Sequence, residues 1–181
     1  MCVDDVEATR QPGLSFATEW QVFSLLQVSA VLLIAIAAGL ALAHALELPG
    51  KLRLSKSAYF TVQSIYHPGF MLGGAIGEGG GLAALLLLLF LTPPATTAFW
   101  LTVVAFLALV GMHAVYWLLT QPVNSFWTQK AELTGAGHEG LMGAPSGTEW
   151  IELRNQWEYS HAIRACLGLL SLALLVAAVV C

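Results

Sequence analysis

AIRACLGLLSLALLVAAVVC, Ala162 to Cys181, is the stretch whose reading decides the fold. Its 20 residues carry one charge, Arg164, and one hydroxyl, Ser171. A hydrocarbon core about 30 Å thick needs about 20 apolar residues at about 1.5 Å of rise each, so this segment is just long enough to cross a bilayer as a helix. Working outward from it, three more such stretches account for nearly all of the remaining chain, and the spans are expected at about 22–46, 68–91, 96–119 and 158–181. The composition agrees: of 181 residues 57% are hydrophobic and only 10% charged, against about 25% charged in soluble domains. The expectation is an all-α protein, an integral membrane four-helix bundle of up-and-down order, in a single four-span domain over 1–181. No length remains for a separate soluble catalytic domain. A net charge of −4 without a large basic cluster excludes a nucleic-acid partner. The expected partners are the lipid bilayer, an apolar small molecule, and either further copies of the chain or a larger membrane complex.

Punctuation between the spans is clear. Pro49-Gly50 is expected to stop helix one, Pro93-Pro94 helix two and Pro122 helix three, because proline lacks the amide hydrogen and clashes with the preceding turn. Ser55 to Tyr66, SKSAYFTVQSIY, is amphipathic and holds Tyr59 and Tyr66, which suits a short interfacial helix lying on the membrane surface. The first half of helix two, FMLGGAIGEGGG from Phe70 to Gly81, contains six glycines. Each costs about 1 kcal/mol of helix propensity, tolerable where small residues let a neighbouring backbone approach. By that logic Gly73-Gly77 and Ala165-Gly168 are candidate docking faces. Ser146-Gly147-Thr148-Glu149 has capping-box spacing, so helix four is expected to begin near Gly147.

Cys2, Cys166 and Cys181 form no CxxC pair and read as structural. Ala43-His44-Ala45 after an apolar run has the form of a secretory cleavage site, but the leader (Asp4, Asp5, Glu7, Glu19) is acidic where a signal is basic. Lys51, Arg53 and Lys56 in connection one and Lys130 and Arg154 in connection three oppose Arg10 alone on the other side. The positive-inside rule then expects a multi-pass protein of the inner (plasma) membrane with both termini outside the cytoplasm.

Ionisable residues inside spans are costly and are by default site hypotheses. Here they gather at one end: His44 and Glu47 on helix one, His67 at the start of helix two, His113 on helix three, and Glu158, His161 and Arg164 on helix four. His44/Glu47 and Glu158/His161 are i, i+3 pairs, each on one helix face. Glu-x-x-His is the ligand grammar of di-iron and di-manganese bundles. The pattern is incomplete, which leaves open a mononuclear iron, zinc or manganese site, or a haem held by two of the histidines. Metal ligation is therefore expected of His44, Glu47, His113, Glu158 and His161, and a cofactor contact of His67. Interface histidines can equally be satisfied by headgroups, water or a carbonyl, and it is their joint occurrence on four helices that argues for a site. His138 is assigned to solvent. Glu78, midway down helix two, is either a proton-relay or substrate-binding group or a neutral acid bonded to nearby backbone. Arg164 either snorkels to the headgroups or pairs with Glu47, Glu78 or Glu158. Trp100, Trp117, Trp127, Trp150 and Trp157, with Tyr116 and Tyr159, read mostly as interface anchors.

Gln121-Pro122-Val123-Asn124, followed after the long loop by Trp157-Glu158-Tyr159-Ser160-His161-Ala162-Ile163-Arg164, carries a resemblance. The P-x-N after helix three and the W-x-x-x-H-x-x-R opening helix four resemble those of bacterial four-helix membrane proteins grouped with the anthrone oxygenase family. The likeness implies a four-helix membrane fold, an oxygenase-type activity, and Asn124, His161 and Arg164 as site residues; with Glu78, the expected catalytic set is Asn124, Arg164 and Glu78. His44-x-x-Glu47-x-Pro49-Gly50 and His67-Pro68-Gly69 look like marks of a subgroup. Two functions compete: a small membrane oxidoreductase or monooxygenase acting on an apolar, aromatic substrate, and a non-enzymatic accessory subunit of a larger complex. A proton or small-solute conductor built on Glu78 alone is a thinner third.

Overall fold

The computed structural model describes the backbone of residues 12–133 and 148–181 and the side chains of 18–127 and 149–181. Helix α1 runs Pro12–Lys51. A short α2, Lys56–Gln63, and a tight turn of helix, Ser64–Tyr66, lead into α3, Gly69–Leu91. Helix α4, Thr97–Val115, passes through one wide π turn, Tyr116–Thr120, into α5, Gln121–Leu133, and α6 covers Thr148–Val180. Among the described residues there is no strand. Four helical segments, of 34, 23, 31 and 32 residues, are long and apolar enough to cross a bilayer. Their outward faces expose Leu25, Leu32, Leu87, Phe90, Leu107 and Leu170, side chains suited to lipid. The protein is thus a multi-pass membrane helical bundle. Arg10, His138, Cys2 and the whole Gly135–Gly147 loop, with Ser146 and Gly147 of the capping box, lie outside the described residues, as does the side chain of Lys130, although α6 does begin at Thr148.

Helix α1 packs on α3 and α6, and α4 packs on the same two, closing a ring of four. Its interior is filled by Ala30, Ile34, Ala37 and Ala41 of α1 against Leu85 and Leu88, Leu109 and Met112, and Ala165 and Leu175. Small residues set how close the helices come. A Cβ on Gly77 would lie 2.9 Å from the backbone nitrogen of Ala37 and the carbonyl oxygen of Leu33, and one on Gly168 would lie 3.1 Å from Ala38 Cα and Met112 Sδ. The candidate docking faces are thereby used inside the chain: Gly73 and Gly77 receive α1, and Ala165 and Gly168 lie against the core.

Three boundary expectations are corrected. Pro49 does not stop α1 but sits inside its last turn; only one intrahelical bond is lost there, and the helix ends two residues later. Pro122 does not close the third span either, because the π turn before it widens the helix. The amide of Gln121 reaches back to Tyr116, and the Leu119 carbonyl receives Gln156 Nε2 from α6 at 3.0 Å. The amphipathic α2 does not simply lie on lipid. Its Tyr59 and Phe60 are buried against Val123 and Trp127 of α5 and Trp157 of α6, so α2 caps one end of the bundle with an aromatic layer. Trp127 and Trp157 belong to that layer, while Trp100 and Trp117 are exposed as anchors should be.

Candidate functional site

Below the α2 cap, α1 and α6 bring two histidines, two carboxylates and a lysine into one cluster, buried except for Glu47, whose side chain is 43% exposed. His44, Glu47 and Lys51 are spaced i, i+3, i+7 and so share one face of α1. Lys51 is 3% exposed. Its ammonium lies 3.1 Å from His44 Nδ1, 3.0 Å from Glu47 Oε2 and 3.7 Å from Glu158 Oε1, and sits over the rings of Tyr66 and Trp157 at 4.6 and 5.2 Å. Burying a cation without partners would be prohibitive; two carboxylates and two aromatic faces offset that cost here. Glu158 is fully buried, accepts the Tyr59 hydroxyl at 2.8 Å on Oε1, and has Oε2 buried without a partner. Tyr66 donates its hydroxyl to Glu47. Burial first, then the neighbouring carboxylate, pushes both the Tyr59 and Tyr66 hydroxyls well above the ordinary tyrosine pKa, so both remain donors.

The two histidine rings touch edge to face, centroids 4.5 Å apart, with Trp157 at 4.0 Å from His161 and 5.0 Å from His44, and Tyr66 and Phe70 at 4.5 and 5.0 Å from His44. Their tautomers follow from what each Nδ1 meets. His161 Nδ1 faces the Trp157 carbonyl at 2.9 Å. A carbonyl only accepts, so Nδ1 carries the hydrogen and Nε2 keeps its lone pair. His44 Nδ1 faces an ammonium, which only donates, so in the neutral ring the hydrogen resides on Nε2. The pair thus offers one basic nitrogen and one N–H donor from adjacent rings.

A second polar group lies beside the first. Arg164 donates to Glu78 Oε1, His113 Nδ1 lies 3.2 Å from Glu78 Oε2, and Trp117 Nε1 donates to His113 Nε2 at 2.9 Å. Of the three partners considered for Arg164 the one it takes is Glu78, and the guanidinium also stacks over Tyr116 at 5.1 Å. The side chains of Arg164 and Glu78 are only 10% and 5% exposed, and Arg164 Nε is buried without a partner.

The structure therefore brings together His44, Glu47, Glu158 and His161, and sets Glu78, Arg164 and His113 next to them as a separate cluster. His113 is not joined to the other two histidines: both its nitrogens are occupied, and its side chain is 42% exposed. His67 is exposed on the link before α3, and its neighbour Tyr66 enters the site instead. Asn124 accepts the Trp157 indole N–H at 2.8 Å. Sequence reading missed Lys51, Tyr59, Tyr66 and Trp157 as site members; only Lys51 left a signal, the i, i+3, i+7 register with His44 and Glu47.

As arranged, the donors do not fit the expected metal or haem. Among the described residues no three His, Cys, Asp or Glu side chains are gathered to hold an ion. The position between His44, Glu47 and Glu158 is taken by the Lys51 ammonium, which would repel a dication. Rings in edge-to-face contact leave no room for a porphyrin between them.

Residues 62–174, from the end of α2 through most of α6, match the family described as anthrone oxygenase. No curated protein and no solved structure matches the chain. His44, Glu47, Lys51 and Tyr59 precede the matched segment, so half of the buried cluster is contributed from outside it.

Proposed function

The chain belongs to the anthrone oxygenase family, and from that premise we propose that it is a small membrane oxidoreductase that oxidises an apolar aromatic ketone by dioxygen at the His44/His161/Lys51 cluster. The observation that carries the reading is the pairing of opposite tautomers beside a buried ammonium: a lone pair on His161 Nε2, an N–H on His44 Nε2, and the Lys51 charge, all walled by Tyr66, Phe70 and Trp157.

The chemistry suits those groups. An anthrone has a methylene between two aryl rings, conjugated with a carbonyl opposite. His161 Nε2 takes one methylene proton, and the electron pair left behind moves onto the carbonyl oxygen. His44 Nε2–H donates a hydrogen bond to that oxyanion, and Lys51 supplies the positive charge in a site of low dielectric, where fixed charges act most strongly. The electron-rich anion passes one electron to dioxygen, and the two radicals join as a C–O bond. Proton return from His161 gives a hydroperoxide, which loses the second methylene hydrogen and its terminal O–H as water. The sum is CH2 plus O2 to C=O plus H2O. A positioned general base contributes about 10²–10⁴-fold, so oxygen uptake with anthrone should fall by about that factor in His161→Gln and Lys51→Met. Chelator-treated wild type should keep its rate; loss of activity on chelation, restored by iron, zinc or manganese, would return the site to a metal.

The same reading places the cluster at the cytoplasmic rim of an inner-membrane protein, with both termini outside, on the strength of Lys51, Arg53, Lys56 and Arg154 at that end. A lipophilic substrate would approach between apolar helix faces. The accessory-subunit reading loses its main support, since the glycine faces that would dock a partner are occupied by α1.

A further inference from the structure

Asn124 has no step in the acid–base scheme and lies on α5, beyond the π turn. We infer that Asn124 is a positioning residue that holds His161 through the indole of Trp157, and that the π turn Tyr116–Thr120 exists to aim it there. The inference rests on the proposed reaction only for its activity readout.

Two independent observations meet at Trp157. Its Nε1–H donates to Asn124 Oδ1 at 2.8 Å. Its ring lies 4.0 Å from the His161 ring at 37° and 5.0 Å from that of His44, under the Lys51 ammonium. An indole has a single donor, so this hydrogen bond is what fixes its rotation about the side-chain axis. Fixed there, the ring packs on the His161 imidazole while its Nδ1 stays on the Trp157 carbonyl, and the two contacts together hold the imidazole. The second observation is the helix register. A π turn carries one residue more than an α turn, and one residue corresponds to about 100° of rotation. Without it α5 would be turned by about that angle, and Asn124 and the buried Val123 would leave the face that meets α6. Thr120, the last residue of the turn, also ties to α6 through Ser160 at 2.8 Å, and the freed Leu119 carbonyl is bound by Gln156. Both of these hydrogen bonds from the turn to α6 fall within one helical turn of Trp157.

The test uses Asn124→Leu, Asn124→Asp and deletion of Leu118, whose side chain is 72% exposed. Deleting it removes the extra residue of the turn, so a plain α turn holds α5 at the same angle, and the deletion serves as the register control. In detergent-solubilised full-length protein, NMR follows the Trp157 indole N–H and the ring nitrogens of His161. The expected result is that Asn124→Leu shifts both signals, while Asn124→Asp, which keeps the acceptor, and the deletion, which keeps its direction, retain both. With anthrone, kcat should drop about ten- to a hundredfold in Asn124→Leu, as for a misplaced reacting group, with KM moving less than threefold. An unshifted His161 signal in Asn124→Leu overturns the inference, as does an Asn124→Asp variant indistinguishable from the leucine. Should the leucine variant fail to fold, Asn124→Ala decides by the same signals, and shifted signals in the deletion overturn the role of the turn. If the NMR result holds while wild type does not oxidise anthrone, the positioning stands and the proposed reaction falls.

Discussion

Replacing Arg164 by leucine separates the buried pair from a snorkelling cation. Arg164 and Glu78 are almost completely enclosed, and their bond links α6 to α3 across the bundle. Removing the arginine leaves a carboxylate at membrane depth with only His113, itself partly exposed, as partner. Removing one member of a buried pair costs about 3–5 kcal/mol, whereas removing both with apolar replacements is often close to neutral. Arg164→Leu and Glu78→Leu should therefore each destabilise by about 3–5 kcal/mol, and the double variant by no more than either single. The cycle then gives a coupling of about 3 kcal/mol or more. Reversible unfolding in mixed micelles with increasing SDS, followed by tryptophan fluorescence, measures all four proteins. Unchanged stability in Arg164→Leu, or strictly additive singles, would refute the pairing and leave the guanidinium at the headgroups.

Three further outcomes follow from particular contacts. Gly77→Ala should cost about 1–3 kcal/mol in the same assay, because its Cβ meets backbone that only a shift of α1 can relieve. Gly74→Ala, with nothing within 4 Å, should be neutral or gain up to about 1 kcal/mol of helix propensity, and equal effects at the two sites would contradict the packing. At alkaline pH, Tyr59 and Tyr66 should stay protonated in the fold. Below about pH 10 neither state ionises and stability is at its full value; above it the unfolded chain releases protons that the fold retains, so stability falls as pH climbs toward the raised values. Spectrophotometric titration checks this: Tyr59→Phe and Tyr66→Phe should leave the native tyrosinate curve unchanged, and a lost ionisation step near pH 10 would count against it. Ser57→Cys, in a background without the native cysteines, should resist a membrane-impermeant thiol reagent in intact cells, and ready labelling would reverse the proposed orientation.

How much of this was legible depends on the kind of information each feature needs. The spans were legible because crossing a bilayer is a matter of length and polarity, which a single segment carries alone. The pairs His44/Glu47 and Glu158/His161 were legible because i, i+3 spacing fixes a shared face without a partner. Lys51 lies on the His44 face, but reading Pro49 as a stop took it off the helix; the cost of proline is small in a last turn and large only in an interior. Tyr59 and Tyr66 were assigned to the membrane surface because an amphipathic pattern states that a face is covered and not by what. His113 reads as a rim histidine beside the others, but the azimuth of α4 relative to α1, which comes from packing of four helices at once, sends it to Glu78. The π turn leaves no mark that a local reading of Tyr116 to Thr120 could use, and so the role of Asn124 was hidden with it.

Anaerobic hydrogen exchange tests whether His161 acts as a base beside a protein-held positive charge. Anthrone incubated in D2O with the purified, chelator-treated protein in the absence of dioxygen should exchange its methylene hydrogens, followed by proton NMR. The rate should exceed the buffer background and fall to it in His161→Gln. Exchange no faster than buffer in the wild type, or equally fast in His161→Gln, would contradict the claim.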